Sequence, residues 1–452
     1  MEIRPVDASF SQFELANTFT SQDATVCVPV SNGVQQRYFF MNMRTGKGLK
    51  IKYPSRNGLL SKEAFHYLEH LTTFAMNPNH FLFPRLRVAL RKFHNGISFF
   101  EVLYKVLKPH GVTYIGNERF LISLWSASIY YVIDLKQKRI EMHMEDCDRR
   151  EVFSTYQYFD DESGKTFYAT QMGVDEFYKH DKEAIHFNVP VKIKTYDWKT
   201  DEIQEIWRGD FDTDTHYMQL NKDKRYLALM NFGDFYDEKH NVIPSKILVL
   251  DLKTKKEHWV DNQGWSPSGH VDWDPCDPET AFFSCHNGVI GPNKSPWTFL
   301  KKKQYHWNIY GPASVHKFRM TKTGMKRVGL FTHPQMERLT IHKVFMHRGQ
   351  KLLACTGFPN NLFIADAEKM ELIRHIKLTV PCGCGAPTSK PTVMGSMFPS
   401  PCGEKIYCST AINEKGALQV VDVATGKTEF THDIGTVWDP FNHMTVVGGS
   451  AW

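Results

Sequence analysis

The stretch GHVDWDPCDPETAFFSCHNG, residues 269–288, has the pattern of two β-strands joined by a tight turn. A short apolar run is followed by the turn-forming residues Asp274 to Pro278 and then by the apolar run from Thr280 to Cys285. A histidine stands near each end, at His270 and His286, where a packed sheet would gain more from valine or isoleucine. The pattern predicts a β-hairpin and raises the question of what its histidines do.

A second kind of hairpin recurs seven times along the chain, as an apolar strand ending in Asp or a substitute, a polar turn and an alternating strand. An inner hairpin precedes the later copies, as HYMQLNKDKRYLALM (residues 216–230) does before the fourth. Seven such four-stranded units predict an all-β fold, the seven-bladed β-propeller. The seven outer hairpins begin at Tyr38, Tyr130, Val191, Lys246, Val315, Asn361 and Leu418.

The two ends of the sequence complement each other in this pattern. The first outer hairpin has no inner hairpin ahead of it, and TVWDPFNHMTVVGG (residues 436–449) has the pattern of an inner hairpin with no outer one after it. We therefore expect N- and C-terminal strands to close the propeller, with residues 1–452 forming a single domain. Residues 54–109 interrupt the repeats with apolar residues at three- and four-residue spacing, which predicts a helical cap insertion.

Composition narrows the class of protein. A chain with 42% hydrophobic and 13% aromatic residues is expected to be globular, and its net charge of +6 is scattered, so we expect no nucleic-acid partner. The sequence has neither a signal-peptide pattern nor an apolar run of the roughly 20 residues that span a bilayer, which predicts no integral membrane segment. Nine cysteines without a C-x-x-C pair favour a reducing compartment, and we expect a cytoplasmic protein. The nucleotide-binding motifs G-x-G-x-x-G and the P-loop are absent, so we expect no nucleotide cofactor.

Alignment of the inner hairpins places one residue of each blade at the start of the innermost strand, where side chains converge on the propeller axis. Four of these seven residues are histidines, and imidazoles that converge can bind a divalent metal ion, transfer protons or bind an oxygen-rich ligand. Polar residues also line water-filled propeller channels without any catalytic role. The seven positions are His110, Gln157, His216, His270, His342, Ser396 and Gly435.

The sequence around the quoted stretch resembles the oligogalacturonate lyases. The similar residues are His270 and DPETAFFSCHNG, followed by Trp307, the hairpin VHKFRMTKTGMKRV and ERLTIHKVF. The resemblance extends over about residues 210 to 410 and implies a seven-bladed propeller that carries out β-elimination on a uronate with a divalent metal, usually manganese.

Carried over by position, the lyase resemblance implies that His342 is a metal ligand and that His270 and His286 lie in the substrate channel. The other metal ligands of that family form a Q-x-x-H-x-H motif, whose place is taken here by PTVMGS, residues 391–396. Asn287 replaces the glutamate of the family's C-H-E-G run. A metal ion in this chain would therefore need His342 together with other histidines of the ring.

These patterns predict three groups of site residues. The chemistry is expected at His270, His286 and His216, and substrate contacts are expected at Gln157, Trp307 and Ser396. A divalent metal ion (Mn, Fe or Zn) is expected at His342, His270, His216 and His110.

Three hypotheses for function follow. The first is an enzyme that transforms a small molecule as a lyase, isomerase or cyclase, by acid–base or metal-assisted chemistry. The second is a ferrous oxygenase for an apolar substrate, because carotenoid-cleaving oxygenases hold iron with four inward histidines on a seven-bladed propeller beneath a helical cap. The third is a non-enzymatic propeller scaffold for a protein partner.

Overall fold

The computed structural model describes the strands and turns of the chain. The described residues are 1–19, 22–31, 35–54, 109–124, 129–144, 151–153, 157–172, 189–211, 214–232, 235–236, 242–243, 246–261, 268–285, 313–336, 339, 341–357, 360–379, 393–412, 415–436 and 443–448. The predicted helical cap at residues 54–109 lies outside them except for its two end residues, as do His286 and Trp307. In the described part of the chain there is no helix of the length and apolarity needed to cross a bilayer.

Seven antiparallel sheets of four or five strands make up the described chain, which confirms the all-β, seven-bladed propeller. Blade 1 contains β1 (Glu2–Val6), β6 (Pro109–Tyr114), β7 (Arg119–Leu124), β8 (Ile129–Asp134) and β9 (Arg139–Met144). Blade 2 contains β10 (Glu151–Phe153), β11 (Tyr158–Asp160), β12 (Lys165–Met172), β13 (Val189–Asp197) and β14 (Ile203–Phe211). Blade 3 contains β15 (Asp214–Leu220), β16 (Tyr226–Phe232), β19 (Lys246–Asp251) and β20 (Glu257–Asp261), and a small ribbon pairs β17 (Phe235–Tyr236) with β18 (Val242–Ile243).

The remaining four sheets follow in chain order. Blade 4 contains β21 (Ser268–Trp273), β22 (Thr280–Cys285), β23 (Ser314–Thr321) and β24 (Gly324–Thr332). Blade 5 contains β25 (His342–His347), β26 (Gln350–Gly357), β27 (Asn361–Asp366) and β28 (Glu371–Lys377). Blade 6 contains β29 (Val393–Pro399), β30 (Lys405–Ile412), β31 (Lys415–Asp422) and β32 (Thr428–Thr436). Blade 7 has the strand order β2-β5-β4-β3-β33 and contains β2 (Ser9–Glu14), β3 (Ala24–Ser31), β4 (Gln35–Asn42), β5 (Lys47–Pro54) and β33 (Thr445–Gly448).

Blade 7 is divided between the chain ends differently from the sequence prediction. The innermost strand, β33, pairs with β3, and three further strands of this sheet also come from the N-terminal side. Among its described residues, the stretch predicted as a C-terminal inner hairpin supplies one inner strand, β33, and its first residue, Thr436, ends the outermost strand of blade 6. Gly435 consequently lies on an outer strand and not at the seventh ring position.

The apolar core lies between neighbouring blades. The described residues form seven buried clusters, and each joins the facing sides of two blades that are adjacent in the ring. One cluster packs Val26 of β3 against Tyr407 of β30, and another packs Phe40 of β4 against Phe120 of β7. The innermost strands also contact one another in the cyclic order β6, β11, β15, β21, β25, β29 and β33. This arrangement brings the start of every inner strand to the central axis.

The outer hairpins turn tightly because a side chain at the end of the third strand accepts hydrogen bonds from the turn. Asp251, for example, accepts from the N–H groups of Lys253 and Thr254 at 2.9 and 3.1 Å. Equivalent acceptors in the seven blades are Asn42, Asp134, Asp197, Asp251, Thr321, Asp366 and Asp422. The strand-ending Asp of the sequence repeat is thus explained by the turn that it stabilises.

Candidate active site in the central channel

Four innermost strands are irregular at the point where they begin. The pairing register shifts between Pro109 and Val112, between Thr215 and Tyr217, between Ser268 and Val271, and between Met394 and Ser396. Such β-bulges change the direction of a side chain and often occur next to active sites. The residues that fall within the first three shifts include His110, His216 and His270.

Three imidazoles meet in the centre of the propeller. The rings of His216 and His270 have centroids 5.3 Å apart, and those of His270 and His443 have centroids 4.8 Å apart. We call these three residues the histidine cluster. His270 belongs to β21 and His443 directly precedes Met444 and β33, and two blades separate these strands on one side of the ring and three on the other. The contact between His270 and His443 therefore crosses the axis, so both side chains point inward.

His443 takes the ring position of the seventh blade, which the sequence alignment had given to Gly435. It is followed by the residues MTVV, in the same way that His270 is followed by Val271 and His342 is followed by the residues KVF. This local similarity is a signal that the sequence offers. The sequence prediction of a hairpin over residues 436–449 conceals this similarity.

His342 is hydrogen-bonded to the backbone of the neighbouring blade. Its Nε2 is 3.1 Å from the carbonyl oxygen of Phe282, on the second strand of blade 4. Because a carbonyl only accepts, Nε2 carries the proton and Nδ1 is the unprotonated nitrogen. Among the described residues, Nδ1 has no hydrogen-bond partner. Burial lowers the pKa of His342 to about 4, although the nearby Asp272 carboxylate acts in the opposite direction, so the imidazole is neutral at pH 7.

The other predicted site residues have different surroundings. Ser396 is fully buried, and its Oγ accepts a hydrogen bond from the N–H of Met444 at 3.2 Å, which places it beside the residue that follows His443. Gln157 is buried at the start of β11, where its carbonyl oxygen accepts from Thr113 Oγ1 at 3.0 Å. His110 is the second residue of β6, and the position of its side chain lies outside the described part of the structure.

A buried ion pair lies next to the histidine cluster. Lys343 Nζ is 3.3 Å from Asp272 Oδ1 and 3.3 Å from the hydroxyl oxygen of Tyr217. The ammonium also lies over the rings of Tyr217 and Phe398, at 5.8 and 5.0 Å from their centroids. The Tyr217 ring in turn contacts His270, with centroids 4.6 Å apart. We call Lys343, Asp272, Tyr217 and Phe398 the lysine layer, and they come from four different blades.

The charge of Lys343 is maintained by its neighbours. Burial would lower the pKa of this lysine, but the Asp272 carboxylate and the Tyr217 hydroxyl more than compensate and raise it above its ordinary value. Gln219 Nε2 also donates to Asp272 Oδ1, at 3.2 Å, and the N–H of Val344 donates to the other carboxylate oxygen. Both charges are thus paired and hydrogen-bonded, which is the condition under which a protein interior tolerates them.

The described side chains do not by themselves form a metal site. Within the described ranges, no group of three or more His, Cys, Asp or Glu residues is arranged so that it could hold a metal ion. The cluster is a set of imidazoles in ring contact, and His342 binds a backbone carbonyl of a neighbouring blade. The predicted metal role of His342, His270, His216 and His110 stays a prediction.

Three solved structures are similar to this chain, and the first two, with TM-scores above 0.5, share its architecture. A mutant of the Synechocystis apocarotenoid oxygenase is 9% identical, with a TM-score of 0.57 over 99% of this chain and 96% of that one. A chimera of apocarotenoid oxygenase and RPE65 is 8% identical, with a TM-score of 0.56 and the same coverage. The periplasmic gluconolactonase of Pseudomonas aeruginosa is 13% identical, with a TM-score of 0.45 over 72% of this chain and 82% of that one.

At these identities the two oxygenase structures show the fold and nothing finer. No protein-family model matches the sequence, and no curated protein matches it. The chain is therefore a seven-bladed β-propeller with buried histidines on its axis, and the resemblance to oligogalacturonate lyases stays a prediction.

Proposed function

We propose that this protein is an enzyme that binds a small molecule at one end of the central channel and transforms it with the histidine cluster. The observation that carries the proposal is the contact of His270 with His443 across the axis, with His216 beside them. A packed sheet gains more from aliphatic residues at such positions, and mere solvation of a channel does not require imidazoles from three blades.

Proton transfer is the chemistry that the described residues support directly. A neutral imidazole takes a proton from a carbon or oxygen acid and returns it elsewhere on the same molecule, which is the common step of elimination, isomerisation and cyclisation. His270 is the best candidate because it contacts both other imidazoles and the ring of Tyr217. In this proposal His216 and His443 bind and orient the ligand, while Tyr217 fixes the plane of the His270 ring.

The experiment is a turnover screen on the full-length protein against uronates, other polyol acids and apolar small molecules, each with and without added Mn²⁺. We expect turnover of one class and at least a hundred-fold loss of kcat/KM in His270→Gln, within the range that general acid–base groups contribute. The matched control is His258→Gln, because His258 lies on the outer strand β20 of blade 3. Equal activity of His270→Gln and the parent protein would contradict the proposal.

An iron-dependent oxygenase is a second candidate. Two observations favour it: inward histidines from several blades, and a fold shared with the apocarotenoid oxygenases. This candidate predicts iron in the purified protein, loss of that iron in His443→Ala, and activity that disappears without dioxygen and returns with air. An iron-free protein with full activity would exclude the oxygenase. If no substrate is turned over and binding of a protein partner is unaffected by His270→Ala, the results would favour a scaffold instead.

A further inference from the structure

In four blades, a hydroxyl on the second strand is hydrogen-bonded to the backbone where the innermost strand begins. Ser284 Oγ accepts from the N–H of His270 at 2.8 Å and donates to the carbonyl oxygen of the same residue at 3.3 Å. We call this arrangement the hydroxyl brace. Its other instances are Ser123 with Gly111, Thr356 with Ile341, and Ser409 with the carbonyl oxygen of Ser396.

In blades 1, 4 and 6 the brace compensates for the irregular start of the innermost strand, whereas the innermost strand of blade 5 pairs without a register shift. A β-bulge removes peptide groups from the ladder, and buried N–H and C=O groups without partners are costly. A hydroxyl donates one hydrogen bond and accepts others, so a single Ser or Thr satisfies both groups of one residue. At His270 the register shift extends from Ser268 to Val271, and Ser284 holds the peptide groups in between.

The position of the His270 ring depends on this point of the backbone. Ser284 is fully buried and His270 nearly so, and the ring is in contact with three others, those of His216, Tyr217 and His443. A small rotation of the backbone at His270 would move the imidazole away from the axis. The hydrogen bonds to Ser284 join the backbone of His270 to its own blade, whereas these three ring contacts come from other blades.

We propose that Ser284 is a positioning residue for His270, whose hydroxyl fixes the backbone bulge that directs the imidazole to the channel axis. This inference rests on the proposed function for its catalytic meaning. The positional claim itself is independent of any reaction, because it concerns where the His270 ring lies in the resting protein.

The experiment compares Ser284→Ala with Ser409→Ala in the full chain, using ¹³C-labelled histidine and amide hydrogen exchange. Both serines are hydrogen-bonded to the backbone where an innermost strand begins, but Ser284 bonds the N–H and the carbonyl oxygen of His270, whereas Ser409 donates to the carbonyl oxygen of Ser396, which is not a cluster histidine. The ring signal of His270 is assigned with His270→Gln. We expect Ser284→Ala to shift or broaden that signal and to accelerate exchange of the His270 amide roughly ten-fold or more, as loss of one buried hydrogen bond predicts. We expect Ser409→Ala to leave both unchanged.

A conservative variant checks that the hydroxyl is responsible. Ser284→Thr keeps the hydroxyl, and Thr356 shows that threonine forms the same brace in blade 5. We expect it to restore the parent signal and the slow exchange. If Ser284→Ala does not fold, Ser284→Cys replaces it, because the thiol is nearly the same size and a much weaker hydrogen-bonding group.

Two results would overturn the inference: a His270 signal and amide exchange unchanged in Ser284→Ala, or equal changes in Ser284→Ala and Ser409→Ala. Neither measurement needs a substrate, so this outcome is separate from the fate of the proposed function. If no turnover is found but the predicted shifts occur, the enzyme proposal fails and the positioning role of Ser284 stands.

Discussion

The two ends of the propeller are built in different ways. At the end that we call the turn end, the connections within each blade are short, and the longest, between Glu14 and Ala24 in blade 7, has nine residues (15–23). At the opposite end, where the inner strands begin and the histidine cluster lies, the connection from Pro54 to Pro109 has 54 residues (55–108). We call this the histidine end. The two ends of the propeller thus differ in the number of residues that connect consecutive strands.

The two ends also differ in the sequence separation between the residues that contact each other. At the turn end, an acceptor such as Asp251 is bonded to N–H groups two and three residues further along the chain. At the histidine end, His270 contacts His443 and Asp272 contacts Lys343, which are 173 (443 − 270) and 71 residues apart. Hydrogen bonds between residues close in sequence stabilise the turns, whereas the site depends on contacts between residues of different blades. The following predictions test this contrast.

The largest effect is expected from the charge at the histidine end of β25. Lys343→Met removes one partner of a buried ion pair and leaves Asp272 charged, which should lower the free energy of unfolding by about 3–5 kcal/mol. Arg348→Met is the control, because Arg348 follows the other end of the same strand and pairs with Glu404 while remaining largely exposed. That change should cost less than about 1 kcal/mol. Denaturant unfolding measures both, and equal losses would break the contrast.

The second prediction concerns a contact between two blades at the turn end. Gly403 has a φ of +71°, and a Cβ there would lie 1.8 Å from the carbonyl oxygen of Met346 in the neighbouring blade. Gly403→Ala should therefore cost about 2–4 kcal/mol, from backbone strain and from overlap with that backbone. Gly349 is a matched control with a φ of +82° and open space around its Cβ position.

We expect Gly349→Ala to cost only the roughly 1–2 kcal/mol of the left-handed conformation. Thermal and denaturant unfolding of the two alanine variants gives the comparison. Equal destabilisation would mean that blades 5 and 6 adjust at this contact, and the turn end would then be local throughout.

This contrast explains what the sequence reveals. The seven outer hairpins were predictable because each carries its own turn signal, from Asn42 in blade 7 to Asp422 in blade 6. The strand β3 was not predicted, although it forms a hairpin with β4, because the sequence pattern places the inner hairpin of this blade at the C-terminal end of the chain. The error at Gly435 has the same origin, because assigning residues 436–449 to a hairpin conceals the similarity of His443 to the other ring histidines.

The site was likewise predictable only where a repeated sequence pattern marks its residues. His216 and His270 follow from the repeat position and do come together. The lysine layer was not foreseen, because no local pattern links Tyr217, Asp272 and Lys343. In the sequence, the hydroxyl brace is visible only as a Ser or Thr near the end of the second strand. Its role at His270 depends on a β-bulge that only the folded sheet shows.

The last prediction concerns how the free energy of unfolding changes with pH. At neutral pH this effect is absent, and in mild acid it should differ between the two ends of the propeller. Burial lowers the pKa of His342 and of His316, near the start of β23, to about 4, against about 6.5 in an unfolded chain. Between pH 6.5 and 4 the unfolded chain therefore binds protons that the folded protein does not, so stability is complete above pH 6.5 and falls as the pH decreases. Each histidine should remove about 2 kcal/mol by pH 5, and His342→Gln should reduce that loss by its share.

At the turn end the window is different. Burial alone would raise the pKa of Asp422, but Lys405 and Thr425 hold it at about 2, so its contribution is present above pH 4 and is lost only as the pH falls from about 4 towards 2. Asp422→Asn is thus the matched control. It should leave the difference in unfolding free energy between pH 7 and pH 5 unchanged, while His342→Gln should make that difference smaller. If both variants changed it equally, acid sensitivity would not distinguish the two ends, because a carboxylate at a local turn would then be titrating together with imidazoles buried by the assembled ring.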